Sequence, residues 1–393
     1  MQNRDRMIVS AADRMLGMAA AATRPFRVRT SPSGPRHILL LRLERIGDLV
    51  MALPAIRDVR QFAPDATIDL VVGSWNRDLA AAIPSVNRVL TMDARWLARD
   101  ATGAGLMALM RQARAWRSHR YDLGINFEPD IRSNLLLAMS GARWTAGYRT
   151  GGGGPVLDFA LDYDTRAHTT ANAQRLVRRV FGRDAAPADR PLLAIPDSAT
   201  RRAAAYIPPG TGGPLIGVHV SGGRAIKQWD PERFAEVATR LADDRGATIV
   251  LTGSPSDRPM VDRVSTRLAG RSAIDAADDI DLLVLAALLR RLDLLITGDT
   301  GPMHLAAAVG TPVVAVFGPS DPIRYAPSGP ADRVVRIDLA CSPCNRIRLP
   351  PARCVGLIPD CLAGVSVNQV LDAAFSSLDE TSRRVPLTGR ARA

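Results

Sequence analysis

The sequence predicts an α/β protein built as two Rossmann-like halves, each a parallel sheet covered by helices, that face a cleft. Short apolar runs of strand length alternate along the chain with helical patterns, which is typical of parallel sheets buried on both faces. The 393 residues are also enough for two domains. No apolar run is long enough to span a membrane.

Two series of elements are expected, separated by a connection at residues 182–214 that is rich in Ala, Pro, Asp and Gly and has room for one helix. In the first half, strands are expected at 38–43, 68–72 and 121–126, and a helix begins near Leu49. In the second half, strands are expected at 215–220, 248–252, 292–297 and 313–317, and helices at 231–243, 282–289 and 304–309. These elements predict a leader at 1–36, a first domain at 37–205 and a second domain at 206–393.

The formal charge of +12 favours an acidic partner, which can be nucleic acid, anionic lipid or a phosphorylated substrate. Part of the excess lies in the leader, where seven arginines accompany only Asp5 and Asp13. Apolar residues recur there at helical spacing, so the leader is either an amphipathic helix on an anionic membrane surface or a frayed basic extension. Asp13 and Arg14 interrupt the apolar segment that a secretory signal needs, so the cytoplasm is the expected compartment.

Four loops that follow strands of the second half are rich in glycine and hydroxyl residues: 221–223, 253–257, 298–304 and 318–322. Open α/β sheets bind ligands at the carboxyl ends of their strands. Small residues where a helix begins let backbone N–H groups and the helix dipole converge on phosphate oxygens. The second half is therefore predicted to bind phosphate.

Lys227 is the only lysine among the 51 lysine and arginine residues of the chain. An ammonium group is a compact point charge, whereas guanidinium is a planar fork, so a site shaped for one phosphate oxygen selects Lys over Arg. Chance retention on a solvated loop is the alternative. The position of Lys227 just after the 221–223 loop favours the phosphate contact.

Two common phosphate-binding motifs are absent from the sequence. There is no GxxxxGK[ST] segment, and the first loop, LERIGD, lacks the GxGxxG of a dinucleotide fold. Kinase and dehydrogenase functions therefore lose support. A phosphate-bearing small-molecule donor, rather than nucleic acid, is the expected partner.

Five segments in order along the chain carry a resemblance to a known family: RLERIGDLVMALPAIR (42–57), GVHVSGGRAIKQWDP (217–231), TGSPSD (252–257), GDTGPMHLAAAVGTP (298–312) and FGPSDP (317–322). Together they resemble the ADP-heptose:lipopolysaccharide heptosyltransferases, glycosyltransferase family 9. The resemblance covers residues 37–370. It implies a GT-B fold, in which the first domain binds the acceptor and the second binds the nucleotide-sugar donor.

The same resemblance implies an activity and a location. A heptose-like sugar is expected to pass from a nucleotide-diphosphate sugar, ADP-linked, to a lipopolysaccharide-type or other glycan acceptor, with inversion and without a metal. The nucleotide sugar is then a substrate, and no cofactor is required. A lipid-linked acceptor implies a cytoplasmic protein with peripheral contact at the inner membrane.

The resemblance also assigns roles residue by residue. Asp48 matches the family's proposed general base, since a carboxylate can take the proton of an attacking hydroxyl. A helix-capping aspartate is the alternative. Lys227 matches the lysine that contacts the donor diphosphate.

Other residues are expected beside the donor. Four match positions along the phosphates, where charge develops on the leaving nucleotide: Ser221, Gly222, Thr300 and Gly301. Three are expected near the nucleotide and its ribose: Asp257, Asp299 and His304.

Two of these positions depart from the family pattern. Ser221-Gly-Gly stands where Pro-Gly or a hydroxyl pair is usual, and Asp257 stands where the ribose-contacting residue is commonly Glu. Both departures leave the identity of the donor sugar open.

Acceptor contacts are expected in the first half. The segment 126–132 follows a strand, and 147–154 is a glycine-rich loop. Arg132, Arg143 and Arg149 can pair with acceptor phosphates, although arginines exposed without such a role are the alternative.

Four cysteines lie close together in the sequence: Cys341, Cys344, Cys354 and Cys361. A Cys-x2-Cys pair followed by two thiols can bind zinc tetrahedrally, but the later spacing does not form a second knuckle. A structural zinc site and a loop-stabilising role without metal both stay open.

Two other functions remain as alternatives. A GT-B nucleotide-sugar epimerase or hydrolase would share the phosphate loops and act on the donor alone. A non-catalytic nucleotide-sugar binding protein would not need a carboxylate at Asp48, which argues against it.

Overall fold

The computed structural model describes residues 13, 34–97, 102–186 and 191–384. The chain forms two compact units that divide between Ala194 and Ile195. The predicted amphipathic leader lies outside the described residues, apart from Asp13 and residues 34–36.

Unit one contains a six-stranded sheet in the order β3-β2-β1-β4-β5-β6, with neighbouring strands parallel. Its strands are β1 (His37–Arg42), β2 (Thr67–Val72), β3 (Arg88–Thr91), β4 (Leu123–Asn126), β5 (Trp144–Tyr148) and β6 (Phe159–Leu161). Its described helices are α1 (Ile46–Phe62), α2 (Arg77–Ala81), α3 (Leu106–Ala115), α4 (Ile131–Met139) and α5 (Thr169–Phe181). The apolar run of β1 is fully buried, as a central strand covered on both faces requires.

Helix α1 follows β1 after a three-residue loop. Leu49, Leu53 and Ile56 recur at helical spacing and are buried, so this face fixes the helix on the sheet. Asp48 lies in the first turn, where a negative charge interacts favourably with the helix dipole. The helix ends at Phe62, two residues before a proline.

Unit two contains a second six-stranded sheet in the order β12-β11-β10-β7-β8-β9, again with parallel neighbours. Its strands are β7 (Leu215–His219), β8 (Thr248–Thr252), β9 (Ala273–Asp275), β10 (Leu294–Gly298), β11 (Val313–Val316) and β12 (Arg333–Val335). Its described helices are α6 (Asp197–Tyr206), α7 (Pro231–Arg245), α8 (Arg258–Arg267), α9 (Leu282–Arg290), α10 (Gly301–Ala308), α11 (Pro322–Tyr325), α12 (Asp360–Ala363) and α13 (Val367–Arg384).

The predicted α/β class with two parallel sheets is confirmed. Each predicted strand and helix is present, with ends shifted by a few residues at most, and the 182–214 connection contains α6. The division between the units lies before α6, whereas the expected domain boundary lay at its end. Among the described helices, none is both long and apolar enough to cross a lipid bilayer.

The two strand orders identify where a ligand should bind in each unit. Strand order reverses between β1 and β4 in unit one, and between β7 and β10 in unit two. The loops that leave such a pair of strands diverge to opposite faces of the sheet and leave a crevice at its carboxyl edge. Asp48 follows β1, Lys227 follows β7 and Asp299 follows β10, so these candidate residues lie at the two reversal points.

Candidate functional site

Arg42, the last residue of β1, organises the reversal point of unit one. Its side chain is buried, and it donates hydrogen bonds to the Phe127 carbonyl at 2.8 Å and to the Asp48 carbonyl at 3.0 Å. A third bond joins Nη2 to the Asp48 carboxylate at 3.3 Å. Burial lowers the pKa of Arg42, but the nearby carboxylates of Asp48 and Glu44 raise it above its ordinary value. Arg42 is thus a buried cation, held in place beside the loop that joins β1 to α1.

Asp48 combines features of a helix cap and of an accessible carboxylate. It is the third residue of α1, and its side chain also accepts a hydrogen bond from the Arg45 backbone N–H at 3.3 Å, as in a capping box. About a quarter of its side chain, 26%, is exposed. The carboxylate is therefore held at two points and still partly accessible to solvent.

Glu128, which follows β4, holds the same loop from the other strand of the reversal point. Its side chain is 2% exposed and accepts hydrogen bonds from the backbone N–H groups of Leu43 and Glu44, the latter at 2.9 Å. Burial and the charge of Glu44 raise the pKa of Glu128 to about 8, despite the opposing effects of Arg42 and the two N–H groups. The loop that carries Asp48 is therefore fixed by two buried side chains.

Lys227 lies at the reversal point of unit two. Its ammonium group contacts the Asp299 carboxylate at 3.1 Å and also donates to the Asp299 carbonyl. The two side chains are 18% and 12% exposed. Burial raises the pKa of Asp299, but Lys227, His304 and a hydrogen bond from Ser320 hold it below the ordinary value. The only lysine therefore contacts the loop that follows β10.

The loop after β7 fits tightly around the backbone of Lys227. A Cβ atom added to Gly222 would meet the Lys227 carbonyl carbon and oxygen at 2.6 Å, so no larger residue fits without a shift of backbone. The Gly222 N–H donates to the Gln228 side chain at 2.6 Å, and Gln228 donates back to the Val220 carbonyl at 2.6 Å. Ser221 accepts from the Gly223 N–H at 3.2 Å. This loop is closed on itself and brings Ser221, Gly222 and Lys227 together.

Helix α10 begins at Gly301, directly after Asp299 and Thr300. Thr300 is the capping residue, but its side chain makes no capping bond to the helix and instead lies 3.2 Å from the Thr297 hydroxyl. His304, in the first turn, is buried and acts electrostatically on Asp299. The amino end of the helix therefore offers backbone N–H groups beside the Lys227 ammonium, an arrangement suited to phosphate.

Asp257, the expected ribose contact, lies after β8 beside the same loops. It accepts hydrogen bonds from the Ser254 backbone at 2.9 Å and from the Ser254 hydroxyl at 2.6 Å. Burial raises the pKa of Asp257, but hydrogen bonds from Ser254 and Ser221 lower it below its ordinary value. The contact with Ser221 thus connects Asp257 to the Lys227 loop.

His219, the last residue of β7, lies beside this site. Burial lowers the pKa of His219 to about 4, and its ring lies 3.2 Å from the Thr252 hydroxyl.

The structure groups the donor residues predicted from the sequence around Lys227 and the start of α10, and it places Asp48 in unit one. Their roles stay predictions. Sequence reasoning missed three residues that hold them: Arg42, Glu128 and Ser320. Each stood in a segment already singled out, but Glu128 and Ser320 contact residues distant in sequence, and Arg42 contacts distant Phe127 as well as nearby Asp48.

Two of the three arginines considered for the acceptor have intramolecular side-chain partners. Arg132 pairs with Asp130 at 2.7 Å and lies over the Trp96 ring at 4.5 Å, and Arg149 pairs with Asp162 at 2.6 Å. Partly or largely exposed pairs of this kind contribute little to stability. These ion pairs are compatible with a role of the arginines in acceptor binding but do not require one.

The four cysteines are free thiols, of which Cys361 is buried and Cys341 exposed. Burial and the neighbouring cysteines raise the pKa of Cys361 to about 11. In the described ranges, no group of three or more His, Cys, Asp or Glu side chains is arranged to hold a metal ion. A structural zinc site and a loop-stabilising role without metal both stay predictions.

Comparisons with known proteins agree with these features. The family model for glycosyltransferase family 9 (heptosyltransferase) matches residues 109–350. The lipopolysaccharide core heptosyltransferase OpsX of Haemophilus influenzae is 24% identical over 310 residues, which cover 77% of this chain and 85% of that protein.

Solved structures show the same architecture. A family 9 glycosyl transferase from Veillonella parvula has a TM-score of 0.74 at 25% identity, covering 90% of this chain and 99% of that one. The ADP-heptose lps heptosyltransferase II of E. coli has a TM-score of 0.68 at 21% identity, covering 88% and 99%. These similarities confirm the predicted GT-B fold.

Proposed function

This chain belongs to glycosyltransferase family 9, and from that premise we propose that it transfers a heptose from an ADP-linked donor to a lipopolysaccharide-type glycan acceptor. The names of its relatives support both substrates: one acts on the lipopolysaccharide core, and another is named for ADP-heptose. A lipid-linked acceptor would place the protein in the cytoplasm, in peripheral contact with the inner membrane.

The reaction we propose is a single displacement. An acceptor hydroxyl attacks the sugar carbon that bears the diphosphate, and a new carbon–oxygen bond forms as the bond to the phosphate oxygen breaks. The hydroxyl proton passes to the Asp48 carboxylate, and the electron pair leaves with the nucleoside diphosphate. Attack opposite the leaving group inverts the sugar carbon.

Charge on the leaving diphosphate has to be stabilised, and unit two supplies groups for this. Lys227 is a cation, and the start of α10 at Gly301 presents backbone N–H groups. We propose that these groups do the work without a metal ion. Asp299 holds the ammonium in place until a phosphate oxygen replaces that contact.

One observation carries the proposal: the only lysine of the chain lies at the reversal point of the second sheet, against the residue that precedes the cap of α10. A cation and a helix amino terminus that converge at a strand-order reversal form a site for the phosphates of a nucleotide.

The test replaces Asp48 by Asn, which preserves the shape and the hydrogen-bond acceptor facing Arg42 and Arg45. We expect transfer from ADP-heptose to fall by roughly a hundredfold or more, because the amide cannot take the proton. Stabilisation by ADP in a thermal-shift titration should be unchanged, because ADP binds unit two.

Asp65→Asn, at an exposed position between α1 and β2, is the matched control and should be as active as wild type. Full activity of the Asp48→Asn variant would remove the base from the mechanism. Selective stabilisation by UDP, GDP or dTDP would contradict the ADP-linked donor. Consumption of the donor without any acceptor would favour the epimerase or hydrolase alternative.

A further inference from the structure

A loop at residues 346–358 in unit two exposes an unusual set of side chains. Seven large apolar side chains are exposed in the described parts of the chain, and four of them lie in this loop: Leu349 (77%), Leu357 (70%), Val355 (62%) and Ile358 (39%). The loop also contains three exposed arginines and no acidic residue: Arg346, Arg348 and Arg353. Its surface is therefore apolar and basic at once.

The loop is tied to the body of unit two at both ends. On its amino side, the Ser342 hydroxyl donates to the Gly318 carbonyl at 2.7 Å, and the Asn345 N–H donates to the Pro319 carbonyl at 2.8 Å. On its carboxyl side, Cys361 and Leu362 are buried in the core. The exposed side chains thus lie on a segment whose ends are fixed.

We infer that the 346–358 loop binds the surface of an anionic lipid bilayer. Guanidinium groups pair with lipid phosphates in a bidentate manner, and aliphatic side chains gain free energy on entering the boundary between headgroups and acyl chains. A protein-binding surface is normally enriched in aromatic residues at its centre, and this loop has none. Positive charge without any acidic residue complements a negative membrane surface.

The attachment of the loop connects this surface to the donor residues. Gly318 and Pro319 precede Ser320, whose hydroxyl bonds to Asp299, the partner of Lys227. A bilayer bound at 346–358 therefore lies on the side of unit two that carries the loop after β11. The relevance of this position to sugar transfer rests on the proposed lipid-linked acceptor, whereas the bilayer-binding surface itself does not.

The experiment measures binding of the full chain to vesicles by flotation. Vesicles of phosphatidylcholine with about a quarter phosphatidylglycerol are compared with pure phosphatidylcholine, since anionic lipid is what the arginines recognise. We expect wild type to bind the anionic vesicles. Leu349→Ser with Leu357→Ser, and separately Arg346→Gln with Arg353→Gln, should each weaken binding about tenfold or more.

Matched controls separate the loop from general surface effects. Met107→Ser removes an apolar side chain that is 72% exposed, and Arg166→Gln removes an arginine that is 92% exposed, both in unit one. Neither should change binding. A leader variant with Arg4, Arg6 and Arg14 replaced by Gln should keep most of it.

Several outcomes would overturn the inference: no binding of wild type to anionic vesicles, equal binding of the loop variants and wild type, or loss of binding only in the leader variant. Failure of the proposed function would look different. If Asp48→Asn keeps its transferase activity while the loop variants lose vesicle binding, the bilayer surface stands and the proposed mechanism falls. Loop variants that lose vesicle binding should still transfer to a delipidated, soluble acceptor.

Discussion

The two candidate sites are held together by different means, although each lies where the strand order of its sheet reverses. In unit one, buried polar side chains fix the loop: Arg42 bonds to Asp48, and Glu128 accepts hydrogen bonds from the backbone N–H groups of residues 43–44. In unit two, close backbone packing fixes the loop, with Gly222 against the Lys227 carbonyl. The lysine side chain then reaches Asp299.

This difference suits the two tasks proposed for the units. A general base needs a fixed direction toward one proton, and two buried side chains supply it. A diphosphate site needs backbone N–H groups left open and a cation that can change partner. From this difference we expect that substitutions in unit one affect their site by changing charge, and that substitutions in unit two affect theirs by changing shape.

The largest effect that tests this contrast is expected for Lys227→Arg. The charge is preserved, but a longer planar guanidinium cannot occupy the position of the ammonium against Asp299. We expect ADP affinity, measured by titration calorimetry, to fall about tenfold to a hundredfold, the loss of one or more charge-assisted hydrogen bonds.

Arg224→Lys is the control for this exchange. Arg224 is exposed three residues earlier in the same loop, and the reverse substitution there should leave ADP affinity unchanged. Wild-type affinity in Lys227→Arg would show that charge alone, not shape, explains the retention of the lysine.

A smaller effect is expected for Gly222→Ala. One methyl group would lie 2.6 Å from backbone atoms of Lys227, so the loop must shift. We expect the free energy of unfolding of the protein, measured by urea denaturation, to fall by about 1 to 2 kcal/mol. Gly212→Ala, where the added atom meets open space, should change it by less than about 0.5 kcal/mol. Equal stability of both variants would contradict the close packing of the loop.

The sequence predicted the elements better than the contacts between them. The strand at 248–252 was predicted at its observed bounds, because a buried strand is a continuous apolar run. Five strands were not predicted: the interior strand β5 and the edge strands β3, β6, β9 and β12. Three of the edge strands, β6, β9 and β12, have only three residues, most of them at least partly exposed, and show no such pattern. The glycine loops and the single lysine, Lys227, were visible as composition, and the family resemblance supplied Asp48.

The side chains that hold the two sites in place had no comparable signal in the sequence. Glu128 lies 85 residues from Leu43 in sequence, and no local pattern records that its carboxylate will accept the N–H groups of that loop. Only the pairing of β1 with β4 brings the two segments together. The same holds for Ser320 and Asp299, which meet because β10 and β11 are neighbours.

The last test concerns the Glu128 side chain that holds the Asp48 loop of unit one, through the pH dependence of stability. Glu128 has a pKa of about 8 in the folded protein against 4.5 for an ordinary glutamate, because of burial first and the charge of Glu44 second. The folded state therefore holds more protons than the unfolded state between these values. Stability contributed by the protonated side chain is complete below pH 4.5 and is lost as pH rises towards 8.

Glu128→Gln keeps an oxygen for the two N–H groups but cannot ionise. Between pH 5 and 8 the variant should therefore lose less stability than wild type, as measured by urea denaturation at several pH values. Glu236→Gln, at an exposed position on α7, should follow the wild-type curve. If Glu128→Gln also follows that curve, Glu128 is ionised in the folded protein at neutral pH, and the brace is a carboxylate shared between the loop and Arg42.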